Sequence, residues 1–263
     1  MTLIHCNINS IVLGTATSFY AILPEIDTIS RSRDKLQTLY LLHGIGDDHS
    51  KWIRRTPLER YARQYELAII MPQAGKSFYT DMLYGNKYWT FISDELLRTV
   101  RTLFPLSERR EDNFVAGLSM GGYGSFKLAL NKPEYFSAAA SFSGALDIAN
   151  LFLPENEGNK PESQLLANAI FGGVDKIAGS MNDLFHSVKR LKESEKVIPR
   201  LYQSCGTEDS IYKSNETFHH FAINEGLDLT YEEWEGGHDW TFWDQSIQRA
   251  LKWFSLRKAK ASN

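Results

Sequence analysis

The sequence predicts an α/β fold in which helices cover both faces of a mostly parallel sheet. Short apolar runs, each long enough for one buried strand, alternate with amphipathic segments from Leu39 onward. The chain has 263 residues, which a single α/β domain can accommodate, so we read residues 1–263 as one domain. Hydrophobic residues make up 43% and charged residues 23% of the chain, which is the composition of a globular protein with a sizeable core.

Eight strands are predicted. The first 20 residues read as two strands, because polar residues interrupt every apolar stretch in them. The buried runs that follow are 39–42, 67–71, 114–116, 138–142, 201–204 and 229–234. Each of these except the last is followed by enough chain to cross over in a helix, which is the connection that parallel strands require.

Three helices are predicted from apolar residues at helical spacing. The first has Thr56 as its N-cap and Pro57 at its first helical position. The apolar stripes, in chain order, are Leu58, Tyr61, Ala62 and Tyr65; Ile92, Leu96, Val100 and Leu103; and Trp243, Ile247, Leu251 and Phe254. Such stripes indicate packing against the sheet rather than a cofactor site.

One segment differs in composition from the rest. Between Asp147 and Lys196, prolines, asparagines and glutamates surround short apolar pieces. We expect this segment to form a cap or insertion on the domain, at about residues 147–196.

Charge and cysteine content bear on partners and location. The formal net charge of -3 leaves no positive surplus for a nucleic acid or an anionic membrane surface. The two cysteines, Cys6 and Cys205, lie far apart and predict a reducing compartment, with the cytoplasm as the expected location. No leader peptide is recognised in residues 1–20, and no window reaches the roughly 18 apolar residues of a membrane span. We therefore expect a soluble protein.

The motif Gly117-Leu-Ser119-Met-Gly121 directly follows a predicted strand and precedes a helix-compatible run that ends near Asn131. Its flanking glycines are expected because a Cβ there would collide with the neighbouring strand and helix. This strand-turn-helix arrangement is the nucleophile elbow of the α/β-hydrolase fold, and it makes Ser119 the candidate nucleophile. A glycine-rich turn with no chemistry is the alternative, which the surrounding elements disfavour.

A serine hydroxyl needs a nearby base, and histidine is the usual one because its pKa lies near neutral pH. Among seven histidines we select His238, since it lies in a loop after the last predicted strand and before the last helix. His219 and His220 lie within an amphipathic segment and are read as surface or packing residues. The sequence supports no role for His5, His49 or His186.

The third member of a triad must orient the histidine, and in this fold the chain order is serine, acid, histidine. Asp209 fits this order, directly after a predicted strand. Glu208 is the nearest rival. Asp239 is adjacent to His238 and poorly placed to reach its ring, and Asp147 is a weaker candidate.

The oxyanion hole requires two backbone N–H donors, one after the nucleophile and one from the loop after an early strand. The sequence predicts Met120 and Ile45, with Gly44 as the alternative to Ile45. In this interpretation His43 contributes its backbone and not its imidazole. We expect no metal and no cofactor, since neither a metal-ligand pattern nor a dinucleotide-binding glycine motif is recognised.

Several motifs together resemble a known family. They are Leu41-Leu-His-Gly44, Tyr79-Thr-Asp81, Ala116 to Phe126, Ser141-Phe-Ser-Gly144, Cys205-Gly-Thr-Glu-Asp209 and Gly236-Gly-His238. On these the chain is similar to bacterial tributyrin esterases, within the esterase D group that also includes S-formylglutathione hydrolases. The resemblance implies the same triad and oxyanion hole, a preference for short acyl chains, no cofactor, and possible association into homo-oligomers.

The function expected from the sequence is hydrolysis of short-chain acyl esters, with a small-molecule ester as the partner. Two alternatives stay open at this point. One is hydrolysis of an S-formylglutathione-type thioester. The other is a catalytically silent binding protein that keeps the fold.

Overall fold

The computed structural model describes residues 1–25, 35–153 and 160–257. Its centre is one eight-stranded sheet with the order β1-β2-β4-β3-β5-β6-β7-β8. The strands are β1 Thr2–Ser10, β2 Thr15–Leu23, β3 Thr38–Leu42, β4 Ala68–Pro72, β5 Asn113–Leu118, β6 Ala138–Phe142, β7 Arg200–Gly206 and β8 Leu229–Trp234. All eight predicted strands are present, so the α/β prediction is confirmed.

Pairing is parallel from β4 through β8. The strands β1 and β2 form an antiparallel hairpin, and β2 joins the sheet antiparallel to β4. Because the carboxyl ends of parallel strands meet at one edge, the loops after β3, β5, β7 and β8 are brought together there.

Nine helices are described, and they cover both faces of the sheet. They are α1 Lys51–Arg55, α2 Leu58–Arg63, α3 Tyr88–Leu103, α4 Met120–Asn131, α5 Ile148–Leu151, α6 Pro161–Phe171, α7 Leu184–Lys192, α8 Tyr212–Asn224 and α9 Trp240–Trp253. Buried side chains alternate along β3: Tyr40 and Leu42 face one core layer, Leu39 and Leu41 the other. Helices α1, α2 and α9 pack on the Leu39 side, and α3, α4 and α6 to α8 pack on the opposite side. No helix among the described residues is long and apolar enough to cross a membrane.

Helix α3 contains a π-helical turn at Phe91–Glu95, between the α-helical segments Tyr88–Thr90 and Leu96–Leu103. The carboxylate of Glu95 lies against the turn between β1 and β2. It accepts hydrogen bonds from the Ser10 hydroxyl and from the backbone N–H groups of Ile11, at 2.8 Å, and Val12, at 3.3 Å. The π turn therefore fastens the amino-terminal hairpin to the body of the domain.

Two details of the predicted helices are wrong. Thr56 does not cap α2: the N-cap is Pro57, and the Thr56 hydroxyl donates to the carbonyl of Trp52 at 2.7 Å, which closes α1 instead. Leu103 is 54% exposed, because the chain leaves α3 at Phe104, whose ring turns inward and packs edge-on against Phe19. The third stripe, on α9, is buried throughout as predicted.

The segment predicted as a cap lies between β6 and β7. In its described part it forms α5, α6 and α7, while residues 154–159 lie outside the described residues. It is joined to the loop after β4, since Leu83 N–H donates to Ile170 O and Tyr84 N–H to Ala169 O. Phe152 and Phe171 also pack against Phe78 of that loop.

Lys127 on α4 is fully buried. Its ammonium donates to three uncharged acceptors: Tyr79 O at 3.0 Å, Thr80 Oγ1 at 2.7 Å and Asn182 Oδ1 at 2.7 Å. The Trp89 ring centroid lies 5.0 Å from Nζ. Burial lowers the pKa of Lys127 to about 7, although the charge of Asp81 opposes this shift. The amine thus connects the loop after β4, α4 and the segment before α7.

We expect the unfolding free energy of the protein to depend on the protonation of Lys127. The unfolded chain holds this proton up to about pH 10, whereas the folded chain releases it near pH 7. Between these values the unfolded state binds more protons, so the Lys127 contribution to stability rises with pH. The unfolding free energy of wild type minus that of Lys127→Met should increase from about pH 7 to about pH 9, by up to about 1.4 kcal/mol per unit.

Urea denaturation of both proteins across that pH range measures the difference. Lys252→Met is the matched control, because Lys252 is an exposed lysine on α9. Its difference from wild type should stay constant with pH. An equally flat difference for Lys127→Met would show that the buried amine keeps its proton.

Candidate active site

Ser119 occupies the sharp turn between β5 and α4. Its backbone has φ 51° and ψ -118°, a conformation that L-residues rarely adopt and that costs about 1–3 kcal/mol. A Cβ at Gly117 would lie 2.4 Å from the carbonyl oxygen of Gly121, and one at Gly121 would lie 2.5 Å from that of Leu42. The predicted reason for both glycines is therefore confirmed. The turn holds the Ser119 side chain above the carboxyl edge of the sheet.

His238 reaches Ser119 from the loop between β8 and α9. Its Nε2 lies 3.0 Å from Ser119 Oγ, and its Nδ1 lies 2.9 Å and 3.0 Å from the two carboxylate oxygens of Asp209. The three residues predicted as a triad thus form one continuous hydrogen-bonded chain. The Trp243 ring stands edge-on to the imidazole, with centroids 5.0 Å apart, and limits its rotation.

Asp209 follows β7 and is almost fully buried, with 6% of its surface exposed. Burial by itself would raise the pKa of its carboxyl, but the hydrogen bonds and charge of His238, with the Ile211 N–H at 3.0 Å, keep that pKa below its usual value. The carboxylate is therefore ionised at neutral pH and oriented toward Nδ1 of His238.

The three other carboxylates considered as the acid of the triad are not hydrogen-bonded to His238 in the described structure. Glu208 is exposed. Asp239 caps α9 by accepting hydrogen bonds from the N–H groups of Thr241 and Phe242. Asp147 caps α5 by accepting from Asn150 N–H. Of the four carboxylates weighed from the sequence, only Asp209 is hydrogen-bonded to His238 in the described structure.

The loop after β3 is held in place through its carbonyl groups. Trp52 Nε1 donates to Leu42 O at 3.0 Å, Tyr79 OH donates to His43 O at 2.9 Å, and His43 Nδ1 donates to Gly44 O at 2.8 Å. These three hydrogen bonds fix the orientation of the peptide groups in the loop. Within the described residues, the N–H groups of Gly44, Ile45 and Met120 have no hydrogen-bond acceptor.

Sequence reasoning missed the part played by the His43 imidazole. Its Nε2 accepts the N–H of Ala74 at 3.0 Å, so the proton lies on Nδ1, which points at Gly44 O. Burial lowers the pKa of His43, which keeps the ring neutral and this tautomer in place. No local pattern signals this role, because Ala74 lies 31 residues away in the chain.

Ser143 was also missed. It follows β6 with φ 46°, a second positive-φ residue at the same sheet edge, and its N–H donates to Ser204 O at 2.8 Å. Its side chain helps to lower the pKa of Asp209. The Ser141-Phe-Ser-Gly144 motif is a usable signal of this position, since it follows a strand that ends beside the nucleophile.

The remaining histidines lie apart from the triad. His219 stacks on Tyr231, at a centroid distance of 4.4 Å, and lies beside His220 on α8. His186 is in the first turn of α7. His5 and His49 lie together at the amino-terminal hairpin.

The chemistry available at this site is nucleophilic. A hydroxyl hydrogen-bonded to an imidazole, whose other nitrogen faces a buried carboxylate, can attack an acyl carbon and pass its proton to the ring. The N–H groups of Gly44, Ile45 and Met120, which have no acceptor among the described residues, are candidate donors to the oxygen anion that forms. No group of three or more histidine, cysteine or acidic side chains among the described residues is arranged to hold a metal ion.

The comparisons with known proteins agree with this geometry. The model of a family described as putative esterase matches residues 10–254. An acetyl esterase of Caldicellulosiruptor saccharolyticus is 34% identical, over 97% of this chain and 98% of that protein. A fluorophosphonate-binding serine hydrolase of Staphylococcus aureus is 34% identical with a TM-score of 0.88, covering 96% of this chain and 98% of that one.

A structure titled S-formylglutathione hydrolase, also from Staphylococcus aureus, is 34% identical with a TM-score of 0.86 over the same shares of the two chains. The family match, the relatives of similar length and the shared fold all indicate an esterase. The chain belongs to the putative esterase family and is a carboxylic ester hydrolase with the α/β-hydrolase fold.

Proposed function

We propose that this esterase hydrolyses short-chain acyl esters through an acyl-enzyme formed on Ser119. The observation that supports it most is the unbroken chain from Ser119 Oγ through His238 to the buried Asp209, with both ring contacts at 3.0 Å or less.

The reaction begins with attack of Ser119 Oγ on the ester carbonyl carbon. As the new C–O bond forms, the hydroxyl proton moves to Nε2 of His238, and the carbonyl oxygen becomes an anion. Met120 N–H and one N–H from the loop after β3, that of Ile45 or Gly44, donate to this anion. The carbonyl contacts of that loop keep these donors oriented before substrate arrives, so no reorganisation is needed.

Collapse of the tetrahedral intermediate breaks the bond to the alcohol oxygen. His238 gives its proton to this oxygen, and the alcohol leaves while the acyl group stays on Ser119. A water molecule then gives a proton to His238 as its oxygen attacks the acyl carbon. The second intermediate releases the carboxylic acid and returns the proton to Ser119 Oγ. Asp209 stays ionised throughout and stabilises the imidazolium in each half-reaction.

The preference for short acyl chains rests on two supports: the resemblance to tributyrin esterases and the whole-length relative named acetyl esterase. Ser119 itself is only 9% exposed, which favours small acyl groups at the nucleophile. The sequence also offers four aromatic residues as possible walls of a small pocket, Tyr84, Trp89, Tyr123 and Trp240, but they do not lie together. Tyr123 and Trp89 flank Lys127, Trp240 packs edge-on against Trp52, and Tyr84 is 74% exposed.

A thioester substrate is the second candidate. It is favoured by the structure titled S-formylglutathione hydrolase, which matches this chain at 34% identity over nearly its full length. The same triad chemistry applies, with a thiolate as the leaving group. Comparing kcat/KM for S-formylglutathione with that for a butyrate ester under identical conditions decides between the two.

Partners and location remain proposals. We propose a small-molecule ester as the substrate, no nucleic-acid or membrane partner, and association into homo-oligomers, for which size-exclusion chromatography with light scattering is the test. A cytoplasmic location is supported by Cys6 and Cys205, both of which are free thiols in the structure.

We expect Ser119→Ala to abolish ester hydrolysis. Initial rates on p-nitrophenyl acetate, butyrate, octanoate and palmitate should fall with chain length for wild type and drop to background for the variant, because Ser119 carries the only hydroxyl hydrogen-bonded to His238 among the described residues. Fluorophosphonate labelling followed by mass spectrometry should modify wild type at Ser119 alone. Undiminished activity of Ser119→Ala would rule out the acyl-enzyme, and an unlabelled, inactive wild type would favour the silent binding protein.

Asp209→Asn should lower kcat by about 10³–10⁴-fold, because a carboxamide cannot stabilise the imidazolium or hold the Nδ1–H tautomer. Its neighbour Glu208 offers a matched control, since Glu208→Gln makes the same chemical change at an exposed side chain and should leave kcat within about twofold. Circular dichroism checks that both variants fold. A larger loss in Glu208→Gln than in Asp209→Asn would reassign the acid.

A further inference from the structure

A second convergent group of side chains lies at the amino-terminal hairpin, outside the triad. His5 on β1, Tyr20 on β2 and His49 in the loop between β3 and α1 stack their rings nearly parallel. The centroids are 4.5 Å apart for His5 and Tyr20, 5.2 Å for Tyr20 and His49, and 5.4 Å for His5 and His49, with interplanar angles of 18° to 27°. The stack fixes the direction in which both imidazoles point.

The same ring nitrogen, Nε2, of each imidazole lies close to that of the other. The Nε2 atoms of His5 and His49 are 3.4 Å apart, and Ser18 Oγ lies 3.0 Å from Nε2 of His49. Two nitrogens that bind Zn²⁺ at about 2.0–2.1 Å in a tetrahedral site are separated by about 3.3–3.4 Å. The observed spacing is therefore the one a tetrahedral metal requires, and it is long for a hydrogen bond between two rings.

The surroundings of His49 keep its Nε2 lone pair available. Its buried Nδ1 and the buried Oε1 of Gln73 each have no hydrogen-bond partner in the described part of the chain, and the Gln73 side chain lies beside the His49 ring. A hydrogen bond from Nδ1–H of His49 to Oε1 of Gln73 would place the ring proton on Nδ1. Histidines that bind metals usually donate their other ring N–H in this way.

Access and charge also suit a cation. His5 is exposed, so an ion reaches the point from solvent, and Asp48 supplies negative charge beside His49. Cys6 cannot join, because the next residue along a strand faces the opposite side, where Cys6 packs against the core. Two imidazoles, one hydroxyl and solvent are the ligands that this arrangement offers.

We propose that His5 and His49 bind one Zn²⁺ ion through their Nε2 atoms, with the Ser18 hydroxyl and water completing a tetrahedral site. The ion would link the β1–β2 hairpin to the loop that runs from the candidate oxyanion donors into α1. Imidazole is a preferred ligand of Zn²⁺ and a poor one for Mg²⁺, so the site discriminates between these cations. This inference does not rest on the proposed hydrolysis.

The test is zinc binding to untagged, chelator-treated protein, measured by isothermal titration calorimetry and by equilibrium dialysis with elemental analysis. Wild type should bind one Zn²⁺ per chain with a Kd in the micromolar range and should not bind Mg²⁺. His5→Gln and His49→Gln should each weaken binding by at least about tenfold, since each removes one of two strong ligands. Co²⁺ bound to wild type should show the intense visible absorption of tetrahedral coordination.

Two control variants isolate the site. His220→Gln removes an exposed histidine on α8 and should bind zinc as wild type does. His238→Gln should also retain zinc, which separates this site from the triad. Circular dichroism and thermal unfolding of His5→Gln, a change at an exposed side chain, separate loss of a ligand from loss of the fold. Absence of zinc binding by wild type at about 1 mM, unchanged binding in the His5→Gln/His49→Gln double variant, or loss of binding in His238→Gln would each overturn the proposal.

Discussion

The backbone of Ser119 is the constraint on which the rest of the site depends. A positive φ at a residue with a side chain persists only where the surroundings leave no alternative, and here they are β5, α4 and β3 in backbone contact through Gly117 and Gly121. The close approach that excludes a Cβ from both glycines also brings the loop after β3 next to the start of α4. Strain at one residue is thus tied to the placement of both sets of candidate oxyanion donors.

The other two residues of this hydrogen-bonded chain, Asp209 and His238, lie in the loops after β7 and β8. Burial affects the pKa of Asp209. Asp209 is largely removed from water, and burial by itself would raise the pKa of its carboxyl. Its ionised form is stabilised by His238 and by the Ile211 N–H, so the same contacts that orient the imidazole also keep its partner charged. The buried His43 differs from Asp209, because burial lowers its pKa and leaves its ring neutral. Its ring therefore only holds the Gly44 carbonyl and the Ala74 N–H in place through hydrogen bonds.

Much of the architecture was predictable from the sequence because it depends on local pattern. The strands follow from short apolar runs, and the positions of Ser119, Asp209 and His238 at one sheet edge follow from each coming after a parallel strand. Local pattern was misleading at Thr56, where the hydroxyl found an acceptor one turn back, and at Leu103, where the chain turned away before the stripe was complete. The contacts of Lys127, of His43 and of the His5–His49 pair could not be predicted, because their partners come from segments distant in the chain.

The π-helical turn in α3 has a consequence for how this chain tolerates change in length. A π turn accommodates one residue more than the α-helix around it, and each residue of an α-helix turns the following side chains by about 100°. Because the wide turn at Phe91–Glu95 takes up the extra residue, Glu95 reaches the hairpin turn while Leu96 and Val100, on the α-helical segment that follows, stay buried. In backbone geometry, the loss of one residue within the turn can be absorbed by closing it to regular α-helix, whereas a loss within Leu96–Leu103 would rotate the following side chains away from the core.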